Sequence, residues 1–372
     1  MRYAPYTQWR RKRAMQDLSP SEASELLIES FDPQELEPGV WRIPVPLSFG
    51  AHATSLYLLR GGSSRQWCLV DCPLRTGRAE ATFRAGLAAA GVASEQIGAI
   101  VLTHAHPDHL GGAGYWQRET GAPVYTLAIG MRGLPALWED PTNTAFLAAA
   151  RALVAHGMPA DEAQALVTQA VQIRSALDAP AHPTLLAHEQ HVHLAGSTYH
   201  VLWMPGHADG QLCLLREDGL FVAGDAVLPG ICPTVGWYPW SRPDPLRDQF
   251  ASLAALGALP VRLALPGHGH PFTDLKRRTD ELAGIYSREL VVTARILAGA
   301  PDGLAAYALA HQLYDARWHS RESRLLAIAE AGARLEHLRF LGRAERSEGA
   351  DGSITYRRAR EDSAPYPQSQ QS

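Results

Sequence analysis

Lysine is almost missing from this chain of 372 residues: Lys12 and Lys276 are the only two, and arginine carries the rest of the positive charge. The formal net charge is −4, so no global field recruits nucleic acid or an anionic membrane, and partners must be argued from local features. Cysteine is sparse too. Cys68, Cys72, Cys213 and Cys232 lack zinc-ribbon spacing, and Cys68 and Cys213 fall inside apolar strand-like runs, which reads as buried thiols rather than disulfides. No apolar run approaches the ~20 residues of a membrane span. The basic cluster Arg10-Arg11-Lys12-Arg13 leads into the polar stretch Gln16 to Glu25, not into the apolar middle of a secretory signal, so the expected location is cytoplasmic, with no membrane partner. There is no G-x-S-x-G nucleophile elbow and no Walker loop to compete with a reading built on other residues.

Against these absences stands Thr103-His104-Ala105-His106-Pro107-Asp108-His109, where four metal-ligand side chains fall within six residues, directly after the apolar run Ile97 to Leu102. Imidazole nitrogens and carboxylate oxygens are the donors that borderline divalent metals such as Zn²⁺ take, and a catalytic site crowds them while leaving positions for water. A buried strand feeding a short loop places His104 and His106 on one side, alternating with Ala105, before Pro107 turns the chain to present Asp108 and His109. One loop cannot complete two coordination shells, so further donors must come from elsewhere. His207 in Pro205-Gly206-His207, Asp225 in Ala223-Gly224-Asp225 and His268 in Pro266-Gly267-His268 each follow an apolar run near glycine, as a ligand on a tight turn at a strand end would.

In this order the motifs resemble those of the metallo-β-lactamase superfamily, over roughly Gly39 to Arg288. The resemblance implies an α/β fold, the αββα sandwich. It implies two divalent metal ions, with Zn²⁺ the first choice and Fe or Mn the alternatives. Carried over by position, His104, His106 and His207 would hold one metal, Asp108, His109 and His268 the other, and Asp225 would bridge them. Val70-Asp71 matches the family's first motif, which assigns Asp71 to tying down the His-rich loop rather than to binding metal. The Pro-Gly-His motifs are similar to the glyoxalase II and thioesterase side of the superfamily.

Around this core the chain divides into an N-terminal extension (1–36) with a helix around Ser21 to Ser30, a catalytic domain (37–290), a further domain (291–362) and a polar tail (363–372) expected to be disordered. Strand signals at Gly39 to Val45, Ser55 to Leu59 and Trp67 to Asp71 precede a helix from Arg78 to Ala90. Strands return at His191 to Met204, Gln211 to Arg216, Gly219 to Ala223 and Val261 to Leu265, with helices from Pro245 to Leu256 and Leu275 to Gly299. Within the catalytic domain, 131–183 is a helical insertion of two helices separated by Gly157-Met158-Pro159, expected to cap the metal site. Leu304 to Tyr314 and Arg321 to Leu341 read as helices and Glu345 to Tyr356 as a hairpin turning at 349–352, an order that resembles a winged helix.

Two divalent cations sharing a water lower its pKa toward neutrality, so hydrolysis needs no serine or cysteine nucleophile. The expected function is therefore a dinuclear metal hydrolase for a small ester, thioester or lactone, with an acyl thioester the best single choice. Asp108 is the expected proton acceptor. His52, before a core strand, and Trp237 and Tyr238, beyond the bridging Asp225, are candidates for contacting substrate. The alternatives are an endoribonuclease or an iron-dependent oxidoreductase on the same ligands, and a relic site in a binding protein. Residues 301–362 hold ten Arg and ten Asp plus Glu, a balance that disfavours nucleic acid as the partner of the winged-helix-like unit. A small-molecule substrate is the expected partner, and a homodimer is left open.

Overall fold

The computed structural model describes residues 31–47, 53–62, 64–132, 140–314 and 321–360; the expected helix at 21–30 and the tail at 363–372 lie outside them. Two sheets stack face to face. The first runs in chain order through β1 (Gln34–Glu37), β2 (Val40–Pro46), β3 (Ala53–Leu59), β4 (Trp67–Val70), β5 (Ile97–Val101), β6 (Val124–Leu127) and β7 (Thr184–Leu186). It is antiparallel as far as β4 and parallel from there on. The second has the spatial order β12 (Leu263–Pro266), β11 (Leu220–Gly224), β10 (Leu212–Arg216), β9 (Ser197–Trp203), β8 (His191–Leu194), with only β11 and β12 parallel.

Strand periodicity builds the layers, because alternate side chains face opposite sides of a sheet. On β3, Leu56 and Leu58 pack outward with α1 (Gly77–Ala89), α2 (Pro107–Leu110) and α3 (Ala113–Thr120), while Tyr57 and Leu59 face the second sheet. On β11, Leu220 and Val222 face the first sheet, and Phe221 and Ala223 pack into the apolar cluster on the far side. That far cluster draws on the insertion helices α4 (Thr144–Ala155) and α5 (Ala160–Arg174) and on α6 (Pro245–Leu256) and α7 (Leu275–Ala298). The layers are therefore helix, sheet, sheet, helix.

The same cluster also takes in the C-terminal elements α8 (Ala306–Tyr314), α9 (Arg321–Phe340) and the hairpin of β13 (Ala344–Glu348) with β14 (Ile354–Arg358). Helix α9 is buried without interruption from Ala327 to Leu338. A helix buried this far needs partners for most of the polar groups it carries. Arg334 pairs with Glu289 and Glu330, Glu330 accepts from Tyr314, Glu336 accepts from Tyr356 and Arg339, and His337 meets both Asp244 oxygens at 3.0 Å.

Three local features differ from expectation. The first sheet starts at Gln34, inside the segment read as an extension, because β1 is an edge strand whose charged residues hide its pairing with β2. Glu37 then ties that edge to Arg216 and Arg262 of the second sheet at 3.1 and 2.8 Å. His191 to Met204 is a hairpin rather than one strand, turning at Ala195 and Gly196, both at positive φ (46° and 83°). Alanine is uncommon there, so the usual Asn-Gly signal was absent. The short strands β6 and β7 carried too little alternation to be read. Among the described residues, no helix is long and apolar enough to cross a membrane.

Because α9 shares its core with α6 and α7, Leu335→Ala, at a fully buried position of that helix, should cost about 2–5 kcal/mol. Chemical denaturation should show one transition moved to lower denaturant. An early separate transition would instead show that the C-terminal segment unfolds on its own.

Candidate metal centre

Five strands end at one edge of the sandwich, and each delivers its polar residues there. β4 and β5 are parallel neighbours, so Asp71 emerges beside Thr103 and His104; β11 and β12 are likewise parallel, so Asp225 emerges beside His268. The chain leaving β9 supplies His207. Backbone hydrogen bonds join the two sheets at this edge, from Leu212 N–H to Thr103 O at 2.7 Å and from Ser55 N–H to Gly267 O at 2.7 Å. After β5, Pro107 opens the short helix α2 with His106 as its cap, which turns Asp108 and His109 inward.

All seven expected ligands converge. The donor atoms of His104, His106 and His207, of His104, His109 and Asp225, and of Asp108, His109 and His268 each lie within 4.8 Å of one another. His106 Nδ1 is 3.0 Å from both His104 Nε2 and His207 Nε2. His268 Nε2 is 3.3 Å from Asp108 Oδ2, 3.3 Å from Asp225 Oδ2 and 3.4 Å from His109 Nε2. Asp225 Oδ2 is also 3.5 Å from His207 Nε2, so this carboxylate reaches both ends of the cluster.

Asp71 organises the His-rich loop without entering it. Its carboxylate accepts from Thr103 N–H at 2.7 Å, Thr103 Oγ1–H at 2.8 Å and His109 Nδ1–H at 2.8 Å. The Thr103 hydroxyl, having given its proton to Asp71, accepts from His104 Nδ1–H at 3.0 Å. Asp71 adopts a left-handed backbone (φ 62°), a conformation uncommon outside glycine that asparagine and aspartate tolerate best and that recurs at functional sites.

These outer bonds settle which ring nitrogens face inward. His207 Nδ1–H donates to Thr234 O and His268 Nδ1–H to Ala53 O, both at 2.8 Å, and a carbonyl can only accept. The Nε2 atoms of His104, His109, His207 and His268 therefore face inward, toward two carboxylates, where each can offer a lone pair once its proton is displaced. Asp225 Oδ1 is buried with no hydrogen-bond partner among the described residues. Lone pairs and carboxylates gathered this closely fit divalent cations. The crowding also demands glycine at 267, where a Cβ would lie 2.1 Å from Asp225 Oδ1.

Proton affinities follow the same field. Burial opposes charge on His109, but Asp108, Asp225 and Asp71 outweigh it and lift its pKa to about 9. Burial likewise opposes charge on His268, and Asp225 and Asp108 again prevail and raise it. Burial and the adjacent His207 push His106 down to about 3. Asp108 and Asp225 are held below the usual carboxylate range, since the surrounding imidazoles overcome the cost of burial. The cluster thus attracts positive charge between its carboxylates.

The expected substrate residues fare differently. His52 lies outside the described residues. Trp237 and Tyr238 are half-buried, and Trp237 faces α9 and the insertion: its backbone N–H donates to Ala329 O of α9 at 2.9 Å, and its ring lies 5.2 Å from that of His156. Tyr238 stacks on the exposed Trp240 at 5.5 Å. Several supporting residues escaped the sequence reading. Thr54 donates to Asp108 Oδ2 at 3.2 Å, Gln249 of α6 donates to Ala226 O at 3.2 Å, and Ser252 donates to Pro205 O at 2.6 Å. None lies in a motif, and only tertiary contact marks them.

Comparison with known proteins agrees with this geometry. The model of the Metallo-beta-lactamase superfamily matches residues 49–268. A probable metallo-hydrolase, YqjP, of Bacillus subtilis (strain 168) is 26% identical over 80% of this chain and 90% of its own. The acyl-coenzyme A thioesterase MBLAC2 of Homo sapiens is 26% identical over 76% of this chain and 96% of its own. A metallo-beta-lactamase family protein of Thermus thermophilus superposes with a TM-score of 0.77 at 31% identity, covering 87% of this chain and all (100%) of that one. A beta-lactamase domain protein of Burkholderia ambifaria superposes with a TM-score of 0.76 at 25% identity, covering 88% and 94%. With the family model spanning more than half of the chain and the ligand cluster assembled at the sheet edge, this protein belongs to the metallo-β-lactamase superfamily and is a metal-dependent hydrolase of it.

Proposed function

We propose that the protein hydrolyses an acyl thioester, using two divalent cations, Zn²⁺ by choice of donors. His104, His106 and His207 would hold one cation and Asp108, His109 and His268 the other, with Asp225 within reach of both sets. The observation that carries the reading is the continuous run of facing donors, with Asp225 within 3.5 Å of His207 and 3.3 Å of His268. The thioester is favoured by the likeness to a human acyl-coenzyme A thioesterase over nearly that protein's whole length.

When bound, the cations would make water nucleophilic near neutral pH and polarise a carbonyl. The chain's own groups do the rest. Asp108, held by Thr54, is the group placed to accept the proton that attacking water releases. Asp71 and Thr103 fix the tautomers of His109 and His104, and the Thr234 and Ala53 carbonyls do the same for His207 and His268. Attack on the carbonyl carbon breaks the carbon–sulfur bond and yields a carboxylate and a thiol, with no covalent acyl-enzyme. The insertion serves as a cap, Trp237 and Tyr238 border the substrate path, and the elements from α8 to β14 form a winged-helix-like unit that shapes it.

Metal analysis of the purified protein should find close to two equivalents, and Asp225→Ala should lose more metal than any change outside the ligand set. Asp71→Asn leaves all seven ligands in place and should weaken metal binding by roughly 10–100-fold, read by chelator competition. On a panel of acyl-coenzyme A esters, glutathione thioesters, lactones and structured RNA, thioesters should turn over fastest, and His207→Ala and His268→Ala should each abolish that turnover while circular dichroism stays native. Preferred cleavage of RNA would sink the thioester reading, and unchanged rates in either variant would sink the ligand assignment.

A further inference from the structure

A single backbone carbonyl, that of Thr234, fixes the tautomer and aim of His207. It belongs to the short segment 233–237, which three distant parts of the chain grip. Tyr286 of α7, almost fully buried, donates its hydroxyl proton to Pro233 O at 2.7 Å. Ala329 of α9 accepts from Trp237 N–H at 2.9 Å, and a Cβ on Gly236 would come within 2.9 Å of the Ala329 methyl. His156, at the end of α4 in the insertion, sets its ring 5.2 Å from that of Trp237 and is backed by Tyr356 of β14 at 6.0 Å.

His156 is only 3% exposed, yet neither ring nitrogen has a hydrogen-bond partner among the described residues. A buried imidazole in that condition contributes shape, not polarity. The rest of the ligand set is anchored elsewhere. His268 is oriented by Ala53 of the first sheet and His109 by Asp71, and neither bond passes through 233–237.

We propose that 233–237 is a strap through which α7, α9 and the helical insertion position His207, with Tyr286 and His156 as the positioning residues. The proposal rests on the reading of His207 as a metal ligand. It makes the two metal sites unequal: slackening the strap loosens the cation held by His104, His106 and His207 and leaves the other in place.

The test follows release of Zn²⁺ from the loaded full-length protein to a chromophoric chelator, alongside thermal melts. In Tyr286→Phe, which removes one hydroxyl, and in His156→Ala, one equivalent should leave on the order of tenfold faster, the usual scale for losing support behind a ligand, while the second keeps its wild-type rate. His156→Phe should restore the wild-type rate, since it keeps the ring. Wild-type release of both equivalents in Tyr286→Phe and His156→Ala overturns the strap, and so does acceleration of both together in step with a lowered Tm. His207→Ala separates the two levels of the argument. It should bind one equivalent fewer, and retention of both would overturn the ligand assignment beneath the strap.

Discussion

His109 and His268 bring their Nε2 atoms within 3.4 Å of each other, between the carboxylates of Asp108 and Asp225. Such a gathering of electron-rich atoms is repulsive unless positive charge is drawn into it, and the rise in the proton affinity of both histidines expresses that pull. Carboxylates that favour a proton on the facing imidazoles would favour a divalent cation among them for the same reason. Every orienting bond around the cluster serves to keep these atoms facing inward.

Geometry alone makes this possible. A side chain at the end of a β-strand is held by a hydrogen-bonded ladder, so the five strand ends act as fixed mounts. Parallel pairing of β4 with β5 and of β11 with β12 sets the ligand pairs side by side, and hydrogen bonds from Leu212 to Thr103 and from Ser55 to Gly267 lock one sheet against the other. Asp71 then links the end of one mount to two histidines of the next, to His109 directly and to His104 through Thr103. Because the candidate ligands come from both sheets, metal bound among them would stabilise the sandwich.

The elements added to the sandwich form one body around the second sheet. The turn between α4 and α5 docks on the C-terminal segment through the Tyr307 N–H to His156 O bond at 3.0 Å, and Glu162 of α5 accepts from Arg324 of α9 at 2.9 Å. At its other end the insertion is fastened beside the His-rich loop, where Gly114 N–H donates to Asp178 O at 2.6 Å. The insertion therefore spans from the helices of the first sheet to the tail. The seven ligands and their orienting partners come from other parts of the chain, so these added elements influence the site through the loops that they hold.

Much of the site was legible in the sequence because its chemistry is carried by residue types that few other tasks require at such density. His104, His106, Asp108 and His109 lie within one loop, and His207, Asp225 and His268 each close an apolar run. The main strands and the insertion helices were legible for the same kind of reason, since burial imposes a period on the sequence. Thr54, Gln249, Ser252 and the carbonyls of Ala53 and Thr234 were not legible, because a hydrogen bond between residues far apart in the chain leaves no local pattern. The inward turn of Trp237 toward α9 and His156 was equally hidden. By itself the sequence determined which side chains offer metal-ligating atoms and where the main strands run. Only the tertiary structure decided how each imidazole is oriented and what stands behind it, because orientation depends on where distant carbonyls and carboxylates come to rest.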